Sequence, residues 1–202
     1  MKAHVMFLSA LAGTAGIACA DTIIDNGQFG ANIGSVGGQF GSDVYGQSFI
    51  APADNVIVQF GMWLIGGDGG APLVSIDLWA DDGANHPDET NVLVSGTQHQ
   101  GVLGALTRVD TFTNLALTPG QRYWIVINGL HDQTSQGSYS STWDSGANTV
   151  PDGNMDWSND LGLSWSGGIP NGDWGVYARL VPAPGAAGLL ALSGIAALRR
   201  RR

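Results

Sequence analysis

The sequence predicts an all-β protein, an antiparallel β-sandwich of jelly-roll-like form, set between an N-terminal signal peptide (residues 1–20) and a short C-terminal hydrophobic helix (within residues 181–202). Three observations predict the sandwich. Apolar residues recur with a period of two in short runs, and no 3.6-residue period appears between Asp21 and Leu180. Gly, Asp, Asn and Pro separate the runs. Of the 17 acidic residues only Glu89 is Glu, and Asp favours turns and caps over helix surface.

The first element is the leader. Lys2 supplies a basic start, Val5 to Ile17 an apolar stretch, and Ala18 and Ala20 the small residues of an A-x-A cleavage site before Asp21. Cys19 offers a rival, lipid-modified reading, but Gly16 stands where such signals usually carry Leu. Cleavage after Ala20 leaves a mature chain without cysteine, which excludes disulfides and thiolate metal sites.

The body, residues 21–180, has the length of one domain, and a chain of about 160 residues buries roughly 68–70% of its unfolded surface. Eight strands are expected: Val44 to Ile50, Val56 to Ile65, Leu73 to Ala80, Asn91 to Ser95, Arg108 to Phe112, Arg122 to Asn128, Gly137 to Thr142 and Trp174 to Leu180. In the second, Val56, Val58, Phe60, Met62 and Leu64 share a face; in the third, Val74, Ile76 and Leu78 do. Thr118-Pro119-Gly120-Gln121 fits a type II turn, with Pro presetting the first central φ and Gly accepting a positive φ at the second. All 17 acids lie in this body against only Arg108, Arg122 and Arg179, so nucleic acid and anionic lipid are disfavoured partners.

The tail closes the chain. Pro182 and Pro184 precede an apolar run of 14 residues, Gly185 to Leu198, and Arg199, Arg200, Arg201 and Arg202 follow. As a helix the run measures about 21 Å against a hydrocarbon core of about 30 Å, which suits a transient stop better than a lasting span. The arginines stay cytoplasmic and so place the body outside. An ordinary tail anchor is the plainer reading of the same residues.

This layout of proline motif, apolar run and Arg cluster resembles the PEP-CTERM sorting signal, whose tail is also labelled an ice-binding protein C-terminal domain. The resemblance covers Val181 to Arg202 and departs from the family at Ala183, where Glu is expected. It implies export, cleavage near the prolines by an exosortase-type protease, and delivery to a cell surface or exopolysaccharide (biofilm) matrix. In the body, QSFIAP (47–52), VSIDLWADDG (74–83), VLVSG (92–96) and LALTPGQRYWIVI (115–127) resemble the choice-of-anchor β-sandwich domains. That resemblance implies a fold and a compartment, not an activity or a ligand.

Catalytic signatures are lacking: there is no H-E-x-x-H, G-x-S-x-G, P-loop or dinucleotide fingerprint. His86, His99 and His131 read as solvated loop residues, and no spacing supports a Ser-His-Asp triad. The chain is therefore expected to be non-enzymatic. Two loops concentrate hard oxygen donors for Ca2+: Asp81, Asp82 and Asn85, near Asp88 and Glu89, and Asp152, Asn154 and Asp156 at 1-3-5 spacing, near Asn159 and Asp160. Asx-turns at loop tips explain the same residues without an ion. Trp143, Trp157, Trp165 and Trp174 fall in a Gly/Ser/Asn-rich quarter, where indoles beside carboxamides suit a pyranose ring. A lectin-like carbohydrate-binding module, with or without calcium, is thus the alternative to a surface or matrix protein. A polysaccharide-active enzyme is weaker, since a working carboxylate pair needs a separation that sequence does not give. Thr111-Phe112-Thr113 alone lacks the repeat of an ice-matching face.

Overall fold

The computed structural model describes residues 20–27, 31–38, 43–66, 72–144, 150, 152–166, 169–170 and 172–183; among them are thirteen strands and no helix. The strands form two sheets in which all pairings between strands are antiparallel. The first sheet contains β1 (Thr22–Asp25), β2 (Ala31–Val36), β4 (Val56–Gly66), β7 (Leu103–Ala116), β9 (Tyr139–Asp144), β12 (Asp173–Trp174) and β13 (Val176–Val181). The second contains β3 (Val44–Ile50), β5 (Ser75–Asp81), β6 (Pro87–Val94), β8 (Arg122–Asn128), β10 (Asn154–Ser158) and β11 (Ile169–Pro170), in the order β11-β10-β3-β8-β5-β6. In the first sheet β7 lies along one edge of β4, while β13 pairs with Val56 to Met62 and β9 with Leu64 to Gly66 on the other.

The alternation read from the sequence places the core between the sheets. Phe60, Met62 and Leu64 of β4 and Ala178 and Leu180 of β13 meet Phe49, Ile76, Leu78, Ile125 and Ile127 of the second sheet. Each fully buried Leu, Ile, Phe or Met contributes about 1.5–3 kcal/mol. One expected face is corrected. Against β13 the strand β4 carries one extra residue between Ile57 and Gln59, so Ile57 rather than Val58 turns into the core. The extra residue of such a bulge reverses the alternation on one side of it.

The strands expected at 44–50 and 122–128 form with those limits. The 118–121 turn also forms: Gln121 N–H donates to the Thr118 carbonyl at 3.1 Å, and Gly120 has φ 79°. The expected strand 174–180 is instead two strands, β12 on β9 and β13 on β4, broken at Gly175. Gly175 donates to the Thr142 carbonyl at 2.7 Å and accepts from Trp63 N–H at 3.0 Å, bridging both partners; a Cβ there would strike the Thr142 hydroxyl. Four further strands, β1, β2, β10 and β11, lie outside the eight expected. The segment read as an ion-binding loop at 154–156 is part of β10, paired with β3.

Candidate functional site

The second sheet buries residues on both faces. Strands β3, β8 and β5 turn Phe49, Ile125, Ile76 and their neighbours inward, so alternation sends Val44, Val126, Trp124 and Trp79 outward. These four form a second buried cluster, with Leu130 and Trp165 packed against it. Two carboxylates of this face, Asp77 and Asp156, are buried, and each is hydrogen-bonded.

Asp77 is 1% exposed. Its Oδ1 accepts from Ser75 Oγ at 2.7 Å and Gly96 N–H at 2.9 Å; its Oδ2 accepts from Asn128 Nδ2 at 2.8 Å and Trp79 Nε1 at 3.4 Å. His131 Nε2 lies 2.9 Å from the same Ser75 oxygen. Serine, histidine and aspartate thus adjoin, but their order differs from a triad, in which the imidazole stands between the other two. The single Ser75 proton goes to Asp77, so the imidazole must donate rather than accept. This wiring holds the serine in place and does not deprotonate it.

Asp156 is fully buried on β10, with His86 Nδ1 at 2.5 Å from its Oδ2. Burial raises its pKa above the usual carboxylate value, opposed by the bonds from His86 and Trp157 N–H. Trp165 stacks on the imidazole, with centroids 6.4 Å apart and planes within 7°. The expected solvated loop histidines are therefore corrected for His86, and also for His99. Val74 and His99 exchange both backbone hydrogen bonds, and the His99 ring tilts against Tyr139 at 5.8 Å.

The residues proposed for calcium do not converge. Asp81 Oδ1 accepts from Gly83 N–H and its Oδ2 from Trp124 Nε1; Asp82 Oδ1 accepts from Ala84 and His86 N–H. These are Asx-turn bonds and an indole anchor. Asp152 adopts φ 58° and gives its carbonyl to Arg122, Asn154 N–H donates to Ser48 Oγ, and Asp156 holds His86. Among the described residues no group of three or more His, Cys, Asp or Glu could hold a metal ion.

Nor do the four late tryptophans make one platform. Trp174 is a core residue, 3% exposed, stacked on Tyr45 at 4.5 Å and adjoining Trp143 at 6.3 Å. Trp143 and Trp157 are half-buried against the inter-sheet core, and Trp165 belongs to the outer cluster. The structure brings Trp143 and Trp174 together and assigns Trp165 to the other cluster.

A cleft of about 600 Å³ opens beside the 81–85 loop and the 118–122 turn. Asp81, Asn85, Thr118, Gln121 and Arg122 give it polar groups, and Ile50 and Ala80 add apolar surface. Arg122 is fixed at its wall: Nη1 donates to Ser48 Oγ and to the Asp152 carbonyl, both at 2.8 Å, while Nε lies 3.8 Å from Asp81. Gly83 and Gly120, at φ 86° and 79°, have open space where a side chain would begin. The sequence marks Asp81 and Asn85 as oxygen donors of one loop and 118–121 as a turn, but does not bring the two segments together. The only signals were the P-G turn ahead of Arg122 and an Asn at a loop tip.

Of the sorting residues, Ala20 is exposed and Pro182 half-buried just beyond β13. Ala18, Pro184 and Arg199 to Arg202 lie outside the described residues, as do most of the leader and the apolar run. No helix among the described residues is long and apolar enough to cross a membrane. Compared with protein-family models and with curated proteins, the chain matches none.

Proposed function

We propose that this chain is an exported, non-enzymatic protein of the cell surface or extracellular matrix, with a jelly-roll-like body between two sorting segments. A signal peptide ending at Ala20 starts export. A PEP-CTERM-like tail, from the prolines through a membrane-seeking apolar helix to the arginines, holds the protein briefly in the inner membrane for an exosortase-type protease. One observation supports the reading: among the described residues the strands run from Thr22 to Val181, within one residue of the 21–180 body, and the outermost two pair as β1 and β13. Cleavage after Ala20 and near Pro184 would leave every described strand intact. The acidic balance of the body supports a matrix partner that is neither nucleic acid nor anionic lipid.

Mass spectrometry of the protein from cells with and without the sorting protease tests this. A C-terminus near Pro184 that depends on the protease supports it. An intact Arg202 in a mature membrane fraction favours a simple anchor, and full-length soluble protein inside the cell overturns export altogether.

A further inference from the structure

We infer that the cleft between the 81–85 loop and the 118–122 turn binds a neutral, hydroxyl-rich saccharide. This goes beyond the export reading and uses none of the four late tryptophans. The cleft has the size of a small-molecule site, commonly about 300–1,000 Å³. Its polar groups are open to a ligand: among the described residues, Arg122 Nη2 and the side chains of Asn85, Thr118 and Gln121 meet no hydrogen-bond partner. Together they offer amide and guanidinium donors with amide and hydroxyl acceptors, the mixture a sugar hydroxyl can meet, since it donates once and accepts twice.

The site is also held ready. Arg122 is anchored through Nη1 to two oxygens, and Asn85 sits at φ 70° within a loop closed by Asp81 and Asp82. Groups fixed before binding lose less freedom when the ligand arrives. Bare backbone at Gly83 and Gly120 lets a ring approach closely, while Ile50 and Ala80 suit its C–H face.

Charge decides between sugar classes. Asp81 stands 3.8 Å from the one cation in the cleft, and the body carries 17 acids against three arginines. An anionic sugar or a phosphate would meet a neutralised arginine in a negative field. A neutral saccharide meets no such opposition.

The test is calorimetric titration of the purified full-length chain in detergent with cellotetraose, maltotetraose and laminaritetraose, and with tetragalacturonate as the charged comparison. At least one neutral oligosaccharide should bind. Gln121→Ala and Asn85→Gly should each weaken it by about fivefold, the worth of one lost hydrogen bond. Both remove exposed side chains that meet no hydrogen-bond partner among the described residues, and glycine accepts the φ of residue 85, so the thermal midpoint should hold. Should either variant lose its fold, Thr118→Val takes its place. No heat from any neutral sugar, affinity untouched by the cleft variants, or tighter binding of tetragalacturonate would each overturn the proposal. The state of the tail has no bearing on these readouts.

Discussion

Arg179 and Asp21 lie 158 positions apart in sequence, yet the guanidinium of one meets the carboxylate of the other at 2.6 Å. The pair closes the register of β1 on β13, in which Thr22 opposes Leu180 and Ile24 opposes Ala178. Arg179 is nearly half exposed, so the ion pair itself contributes about 0–1 kcal/mol and weakens with salt. The ladder and the packing of Ile24 against the core are what keep the ends together.

A chain limited to residues 21–181 should therefore unfold in one cooperative transition, within a few degrees of the full-length midpoint. Asp21→Asn should lower stability by less than about 1 kcal/mol, and less still at high salt. Thermal melts of the two proteins check both; a broad, non-cooperative melt of the short chain would show that the body needs its flanks.

Two buried aspartates should respond unequally to the same conservative change. Asp77 accepts four bonds, so an asparagine there turns an NH2 group toward donors. Asp77→Asn should cost about 2 kcal/mol, and Asp77→Ala more, because each buried donor left without an acceptor costs about 1–3 kcal/mol. At Asp156 burial already favours the neutral acid, so Asp156→Asn should be tolerated far better than Asp156→Ala. Urea midpoints of the four variants decide this; equal losses for the two asparagines would contradict it.

The sequence made the inter-sheet core legible, because Val74, Ile76 and Leu78 alternate with polar neighbours and the P-G turn fixes where β8 starts. It hid whatever depends on partners distant in the chain. Asp156 reads as a loop ligand until His86, 70 residues away, is seen to sit against it. Trp79 and Trp124 pack on the far side of the second sheet, a buried layer that period-two patterning does not signal. β1 and β2 are short and weakly apolar, and pairing with β13 and β9 makes them strands. Tertiary context overrides local preference there. The cleft was hidden for a related reason, since Asn85 and Gln121 belong to separate loops.

Acid should act on two loops with a defined sign. The Ser135 hydroxyl and the N–H groups of Thr134 and Ser135 hold Asp132 well below its ordinary pKa; hydrogen bonds from Ser164 and Ser158 lower that of Asp160. The stability each provides is present above the unfolded value of 3.8 and is lost as pH falls through the lower folded value. Asp156, raised by burial, has the opposite sign: its contribution is full below 3.8 and declines as pH rises through its folded value. Asp132→Asn should flatten the acid limb of a plot of urea midpoint against pH. Asp156→Asn should flatten the decline just above pH 3.8. An acid limb unchanged by Asp132→Asn would place the proton uptake elsewhere.

Gly61 tests whether the outer face of the first sheet is as tightly fitted as its core. It is buried between Asp110 on β7 and Tyr177 on β13, and the Arg108 guanidinium lies 3.8 Å from the centroid of the Tyr177 ring. A Cβ on Gly61 would strike Asp110 Oδ1 and come within 2.7 Å of the Val109 carbonyl oxygen. The side chain could swing away, but the backbone oxygen belongs to the β4–β7 ladder and cannot move without disturbing it. Asp110 would also be pressed off Arg108 Nε, which it holds at 2.8 Å, and off Gln59. Gly61→Ala should therefore destabilise by about 1–3 kcal/mol, as overpacking does, despite alanine's smaller loss of backbone entropy on folding. The same change at Gly104, on the partner strand β7 and with open space around it, should be neutral or mildly stabilising. Measuring both by urea denaturation separates crowding from any general effect of alanine in these strands.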